Sequence, residues 1–78
     1  MSPLRNPQAA LGAAIKELRE EKKLKQQAVA EAAGIGVGHL SKIERGLGNP
    51  TWATVLAIAE ALGVSLVALG KRVEGQAR

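Results

Sequence analysis

The 78-residue chain contains no cysteine, tyrosine or phenylalanine, and Trp52 is its one aromatic residue. The lack of cysteine excludes disulfides and thiolate chemistry and fits a reducing compartment. Binding of RNA or single-stranded DNA relies on aromatic side chains that stack on bases. We expect Trp52 to lie in the core instead, because it belongs to the apolar stripe of a predicted helix. The scarcity of aromatics therefore argues against single-strand recognition.

Residue sets that build enzyme or metal sites are also missing. His39 is the only histidine, and without a second histidine or a cysteine it cannot form a metal site. It is either a solvated side chain or a phosphate contact. No paired carboxylates or catalytic triad can be assembled. Glycines 34, 36 and 38 superficially resemble a phosphate-binding loop, but such a loop follows a strand. We predict no enzyme activity, no metal, no cofactor and no small-molecule substrate.

No long apolar run is present either. A membrane span needs about 18 apolar residues. The segment Ala9–Ile15 is much shorter and is followed directly by charged residues, so we interpret it as the start of an amphipathic helix. The net charge of +4 and the pI near 10.0 favour a polyanionic partner. The charge is uneven, because residues 1–25 carry six bases and three acids whereas residues 26–65 carry two bases and three acids. Charge therefore supports a nucleic-acid partner only indirectly.

The apolar residues recur at helical spacing, and no strand-like alternation occurs. We therefore predict an all-α, compact five-helix domain over residues 7–74, with flexible tails at 1–6 and 75–78. The predicted helix starts and ends are marked by capping residues: Asn6 with Pro7, Asn49 or Thr51 with Pro50 in the first turn of the fourth helix, Gly63, and Ser65.

Residues 26–46 read as two short helices joined by a tight turn. Gly34 suits a left-handed C-cap, Ile35 is an apolar plug, and Gly36 can be the next N-cap. A three- to four-residue turn containing glycine between two helices is the signature of a helix-turn-helix motif. In that motif the second helix enters the major groove of DNA and the first lies across the DNA backbone.

The start of the second helix is the other informative position. Lys25 is a poor N-cap, and Gln26 and Gln27 follow it, where free backbone N–H groups and the helix dipole favour a phosphate. The two glutamines are therefore either phosphate contacts or part of a solvated face.

The run KELREEKKLKQQAVAEAAGIGVGHLSKIERGLGNPTWATVLAIAEALGVSL resembles the XRE or lambda-repressor-like (Cro/CI-type) helix-turn-helix domain of bacterial and phage regulators. The resemblance extends over roughly residues 11–69, and pieces such as IERG and ALGV stand in order at family spacing. It implies a five-helix, DNA-binding regulator of transcription.

The resemblance also implies roles for individual residues. The base-reading positions and their neighbours on the DNA-facing side are Val37, Gly38, Lys42, His39 and Ser41. The positions near the DNA backbone are Gln26, Arg45 and Asn49, with Gln27 beside the first of them. Arg19 and Glu44 match a structural ion pair of the family.

Two base-reading positions depart from the family pattern. Val37 and Gly38 offer no side-chain hydrogen bond, although Val37 can touch a thymine methyl and Gly38 leaves room for close approach. Lys42 is the main polar reader, for a guanine edge or else a phosphate. Specificity would then rest more on DNA shape and half-site spacing.

We expect a cytoplasmic, nucleoid-associated repressor that binds a palindromic operator as a homodimer, with the recognition helix around residues 37–45 and half-sites about 34 Å apart. The predicted dimer contacts are apolar residues on or beside the fifth helix that the core does not need: Val64, Val67 and Val73. The alternative is an antitoxin, or another protein-binding partner in a toxin–antitoxin module, that also regulates its own operon.

Overall fold

The computed structural model describes residues 6–76, which form five α-helices joined by short connections. The helices are α1 (Pro7–Glu21), α2 (Gln26–Ala33), α3 (Val37–Glu44), α4 (Trp52–Leu62) and α5 (Leu66–Gly75). Residues 6–76 contain no strand, so the predicted all-α, five-helix fold is confirmed. Most of the two predicted tails, residues 1–5 and 77–78, lies outside the described residues. Of the remainder, Asn6 is the N-cap of α1, and α5 continues to Gly75, one residue past the predicted boundary.

Three helices begin at side-chain caps that the sequence predicts. Each cap accepts a hydrogen bond from the backbone N–H three residues further on, at 3.0 Å for Asn6, 3.1 Å for Thr51 and 3.0 Å for Ser65. Thr51 rather than Asn49 caps α4. The prediction that Pro50 lies in the first turn of α4 was wrong, because Pro50 comes before the cap.

One apolar core joins the five helices. Its largest side chains are all less than 2% exposed: Ile15, Leu40, Ile43, Ile58, Leu62, Leu69 and Val29. Burial of each such side chain contributes roughly 1.5–3 kcal/mol relative to full exposure. In this arrangement α2 packs against α4, and α1 packs against both α3 and α5. The two helices of the motif are therefore fixed to α4 and α1 respectively.

Helices α1 and α3 approach each other closely at Gly12. A Cβ atom built on Gly12 would collide with the carbonyl oxygen of Ile43 and would lie 2.7 Å from that of Glu44. Only a residue without a side chain lets the C-terminal end of α3 rest directly on α1. A glycine inside an alanine-rich helix is a recognisable sign of such close packing, but the sequence does not say which helix approaches it.

The prediction that Trp52 lies in the core was wrong. Its side chain is 63% exposed, and Leu56, one turn further along α4, is 41% exposed. The buried residues of α4 are Ile58, Ala59 and Leu62. Trp52 and Leu56 lie on the flank of this stripe, because the apolar face of α4 is wider than the surface that the other helices cover.

No single helix among residues 6–76 is long and apolar enough to cross a membrane. The helices α4 and α5 meet that criterion only when taken together, as a pair bent by 99°. The same residues contain no group of three or more His, Cys, Asp or Glu side chains that could hold a metal ion.

Candidate nucleic-acid interface

The connection between α2 and α3 is the tight turn that the glycines predict. Gly34 has a φ of 72° and ends α2 in the left-handed conformation. The N–H of Ile35 donates to the carbonyl of Ala30 at 3.0 Å, and the side chain of Ile35 packs against the core. Gly36 is extended and begins α3. The two helices therefore meet in a fixed orientation that an apolar plug and a left-handed cap maintain.

Helix α3 has one buried face and one exposed face. Leu40, Ile43 and Glu44 are buried. The opposite face exposes Val37, whose side chain is 47% exposed, together with Gly38, His39 and Lys42, while Ser41 is half-buried. The base-reading positions that the resemblance implies thus share the exposed face. Gly38 carries no side chain, and a Cβ built there meets nothing within 4 Å, so the helix backbone is open to close approach at this position.

A hydrogen-bonded ion pair fixes the buried face of α3 to α1. Arg19 donates from Nε to Glu44 Oε2 at 2.7 Å and from Nη2 to Glu44 Oε1 at 3.1 Å. The side chains are 12% and 2% exposed, respectively. Arg19 also donates from Nη1 to the carbonyl of Leu24 at 2.9 Å, which ties the end of α1 to the same cluster. The hydrogen bond from Arg19 to Glu44 raises the pKa of the guanidinium, so Arg19 keeps its positive charge.

Gln26 joins this cluster, a contact that the sequence analysis missed. Its Nε2 donates to Glu44 Oε1 at 2.9 Å, so the first residue of α2 is bonded to the last residue of α3. Gln26 is half-buried. Spacing could not reveal this contact, because the two residues lie 18 positions apart and meet only through the turn. A second N–H and the carbonyl oxygen of the Gln26 amide remain for other partners.

The N-terminus of α2 has the geometry of an anion site. Its first backbone hydrogen bond runs from the N–H of Val29 to the carbonyl of Lys25, and no side chain caps the helix. The N–H groups of residues 26–28 therefore have no acceptor within the helix. Lys22, Lys23 and Lys25, all exposed, occupy the connection that leads into this terminus. The sequence analysis did not single out Lys22 or Lys23, because their position beside the helix terminus depends on the fold.

Three other expected contact residues occupy more peripheral positions. Gln27 is exposed, and its Nε2 donates to Glu31 within α2 at 3.2 Å. Arg45 is exposed at the C-cap of α3, and its Nε donates to the carbonyl of Ser41 at 3.3 Å. Asn49 is exposed in the connection to α4. The guanidinium of Arg45 therefore stays close to the end of the exposed α3 face.

The residues expected to form dimer contacts are not equivalent. Val67 is 68% exposed. Val64 and Val73 are partly buried and pack against the core. Leu66, the first residue of α5, is 36% exposed. The exposed apolar surface of α5 therefore consists of Leu66 and Val67.

The fold and this surface define a class of protein. The short helices α2 and α3 are joined by a glycine-containing turn. Helix α3 exposes one row of side chains, and the uncapped N-terminus of α2 lies next to three exposed lysines. This is a helix-turn-helix protein.

Comparison with known proteins identifies the family. The family model described as helix-turn-helix, HTH_3, matches residues 15–69. The chain belongs to this family of XRE or Cro/CI-type DNA-binding transcriptional regulators, as the sequence resemblance predicted.

Named relatives agree with this assignment. The chain is 44% identical over 59 residues to an uncharacterized HTH-type transcriptional regulator, y4dJ, of Sinorhizobium fredii, over 76% of this chain and 77% of the relative. It is 41% identical over 59 residues to the immunity repressor protein of Bacillus phage phi105, over 76% of this chain and 41% of that protein. The alignment thus spans less than half of the phage repressor.

A solved structure similar to this chain contains DNA. The restriction-modification controller protein C.Esp1396I, crystallised as a tetramer with its natural 35 base-pair operator, superposes with a TM-score of 0.85 and 25% sequence identity. The match covers 91% of this chain and 93% of the controller protein.

Proposed function

We propose that this protein is a transcriptional repressor that occupies a palindromic operator as a homodimer, with α3 in the major groove. The observation that carries the proposal is the division of α3 into two faces. Leu40, Ile43 and Glu44 fix one face to the protein, and the other face is exposed from Val37 to Lys42 except at the half-buried Ser41. A helix held in this way can enter the major groove without any rearrangement of the core.

Base recognition rests on few groups. Val37 offers a methyl surface to thymine, Gly38 admits a base or sugar close to the helix backbone, and Lys42 can donate to guanine O6 and N7. Three such positions supply limited direct readout. Much of the specificity then comes from the sequence-dependent shape of the DNA and from half-site spacing.

Backbone contacts supply most of the affinity in this proposal. The free N–H groups of residues 26–28 and the remaining amide N–H of Gln26 would bind one phosphate, and Lys22, Lys23 and Lys25 would add charge around it. Arg45 and Asn49 would bind the backbone on the other side of the groove. The net charge of +4 favours encounter with DNA.

The proposed dimer follows from the small number of contacts that one copy makes. Two half-sites, one helical turn or about 34 Å apart, double the readout and fix the spacing of the site. Operator binding by an assembly of several subunits is the behaviour of the controller protein C.Esp1396I. The immunity repressor of phage phi105 supports repression as the outcome.

Selection of bound duplexes from a random pool tests the proposal. We expect enrichment of sites made of two inverted half-sites whose centres lie one helical turn apart. Lys42→Ala, which removes one polar group from the exposed face of α3, is selected in parallel, and it should change the preference at one position of each half-site if Lys42 reads a base.

Two outcomes would contradict the proposal. Equal recovery of all duplexes would exclude sequence-specific binding, and enrichment of a single asymmetric half-site would exclude the palindromic dimer. The antitoxin alternative predicts that a second small protein copurifies in a stoichiometric complex from the native source. A repressor that acts alone predicts that no such complex forms.

A further inference from the structure

Helices α1 to α4 end in the same backbone arrangement, in which one residue takes the left-handed conformation. That residue donates its N–H to a carbonyl three positions earlier, and the following residue donates to a carbonyl five positions earlier. These two hydrogen bonds define the Schellman motif. The left-handed residues are Lys23 after α1, Gly34 after α2, Gly46 after α3 and Gly63 after α4.

Lys23 is the exception among these four positions. Its φ is 56°, and among residues 6–76 it is the one residue other than glycine with a positive φ. A Cβ atom makes the left-handed conformation unfavourable, whereas glycine adopts it freely. Three equivalent turns of the same chain use glycine, so the backbone gives no reason for lysine at the fourth. A residue that keeps such a conformation against its preference is a sign of function.

The surrounding hydrogen bonds hold Lys23 in place. Its N–H donates to the carbonyl of Glu20 at 2.9 Å, and the N–H of Leu24 donates to the carbonyl of Arg19 at 3.0 Å. The guanidinium of Arg19 donates in turn to the carbonyl of Leu24 at 2.9 Å, and Leu24 packs against the core. Because Arg19 is also bonded to Glu44, the backbone of Lys23 has a fixed position relative to α3.

The charges around Lys23 favour an anionic partner from outside the chain. Residues 22–25 contain three exposed lysines and no acid. Glu21, the acid that directly precedes them, is bonded to Arg72. The ion pairs found among residues 6–76 join Arg19 to Glu44 and Arg72 to Glu17 and Glu21, and none of them includes a lysine. The ammonium group of Lys23 is therefore available for another partner.

Lys23 also lies close to the proposed phosphate contacts of α2. It precedes Gln26 by three residues, and three residues span at most about 11 Å. The phosphates of one DNA strand follow each other every 3.4 Å or so along the helix axis. An ammonium group at this distance from Gln26 can therefore reach a phosphate on the same stretch of strand.

We propose that Lys23 contacts a DNA backbone phosphate directly, and that this contact is the reason for lysine at a turn where glycine would make the fold more stable. The inference rests on the proposed function for the orientation of α2 on DNA. It goes further by assigning a contact to one lysine and by predicting a substitution that stabilises the protein while it weakens DNA binding.

Three variants of Lys23 separate the conformation from the charge. Lys23→Gly removes both the unfavourable Cβ and the charge, and its melting temperature should rise by roughly 4 °C. Lys23→Ala removes the charge but keeps the Cβ, so its melting temperature should stay close to that of the wild type. Lys23→Arg keeps both and should resemble the wild type in stability and in DNA binding.

Titration of selected and unrelated duplexes at several salt concentrations measures the contact. Lys23→Gly and Lys23→Ala should bind every duplex less tightly than the wild type, and the slope of log K against log salt should fall by about one. The advantage of the wild type should thus shrink roughly threefold between 50 and 200 mM salt. The matched control is Lys16→Ala, which removes an exposed base of α1 outside the connection and should keep the wild-type slope.

Two results would overturn the inference. If Lys23→Gly and Lys23→Ala bind every duplex as Lys16→Ala does, Lys23 is not a DNA contact. If Lys23→Gly is no more stable than the wild type, lysine is not kept at this turn against the preference of the backbone.

The same titrations separate this inference from the proposed function. A wild type that binds all duplexes equally, with weaker binding by Lys23→Ala, would refute sequence-specific binding and support the contact. A wild type that prefers its operator, with Lys23 variants equal to Lys16→Ala, would support the proposed function and refute the contact. A wild type that binds no duplex would refute both.

Discussion

The guanidinium of Arg19 donates two hydrogen bonds to the carboxylate of Glu44, from Nε to Oε2 at 2.7 Å and from Nη2 to Oε1 at 3.1 Å. This paired geometry fixes orientation as well as distance. Gln26 adds a third donor to the same carboxylate. One buried acid therefore links α1, α2 and α3 and holds the exposed face of α3 at a constant angle to the N-terminus of α2.

We expect Arg19→Ala to lower the free energy of unfolding by about 3 kcal/mol, because it leaves a buried carboxylate without its main partner. Thermal and denaturant unfolding of the purified chain measure the loss. Lys16→Ala is the matched control, since it removes an exposed base from the same helix and should change stability by less than about 0.5 kcal/mol. Equal stability of the two variants would mean that the ion pair contributes nothing to the fold.

Gly12→Ala should also destabilise the protein. The added methyl would press on the backbone carbonyls of Ile43 and Glu44, which are not free to move because both residues are buried. Overpacking of this kind costs roughly 1–3 kcal/mol, more than alanine gains in helix propensity. Gly38→Ala is the matched control, because the same methyl meets nothing within 4 Å. Denaturant unfolding should show a loss for the first and no loss for the second, and the reverse order would contradict the close packing of α1 on α3.

Features set by neighbouring residues could be predicted from the sequence. Helical spacing gave the five helices, and the capping chemistry of Asn6 and Ser65 is local, because each cap bonds to an N–H three residues away. The turn at Gly34 is local as well. The order of these signals along the chain was enough to identify the family and the exposed face of α3.

Features set by the packing of distant residues could not be predicted in the same way. Trp52 lies on an apolar stripe of α4, but whether each residue of the stripe is buried depends on how much of α4 the neighbouring helices cover. The bond from Gln26 to Glu44 and the contact of Gly12 with α3 depend on how the helices cross. The sequence indicated that Gln26 occupies a special position, but only the structure identifies Glu44 as its partner. Gly12 was not singled out from the sequence, and its role follows from the structure alone.

The contact between α5 and α1 predicts a pH dependence of stability. Arg72 donates to Glu21, and this hydrogen bond lowers the pKa of the Glu21 carboxyl below its ordinary value of 4.5. An acid whose pKa is lower in the folded state binds its proton more readily when unfolded. Its stabilising contribution is therefore complete above pH 4.5 and is lost as the pH falls through the folded-state pKa.

Melting temperatures measured from pH 7 to pH 3 test this dependence. We expect the melting temperature of Arg72→Gln to fall less on acidification than that of the wild type, because the variant lacks the hydrogen bond between Arg72 and Glu21. Lys71→Gln removes the same charge from the neighbouring position and should keep the wild-type slope. A wild-type slope in Arg72→Gln would show that the bond is absent in solution.

Lys42 separates base reading from backbone binding on the exposed face of α3. If its ammonium group donates to a guanine, Lys42→Ala should weaken binding to the selected operator by about 1–3 kcal/mol and relax the preference at one base pair. If it binds a phosphate, the loss should be similar for all duplexes, and the slope of log K against log salt should fall by about one.

Titration of labelled operator and of unrelated duplexes, each at several salt concentrations, distinguishes the two cases for Lys42. Lys16→Ala is the matched control, because it removes the same charge from the exposed side of α1, so that any loss due to net charge alone is measured separately. A Lys42→Ala variant that matches this control on every duplex and at every salt concentration would remove Lys42 from the interface. The proposed insertion of α3 into the major groove would then be contradicted, because Lys42 is the central polar group of its exposed face.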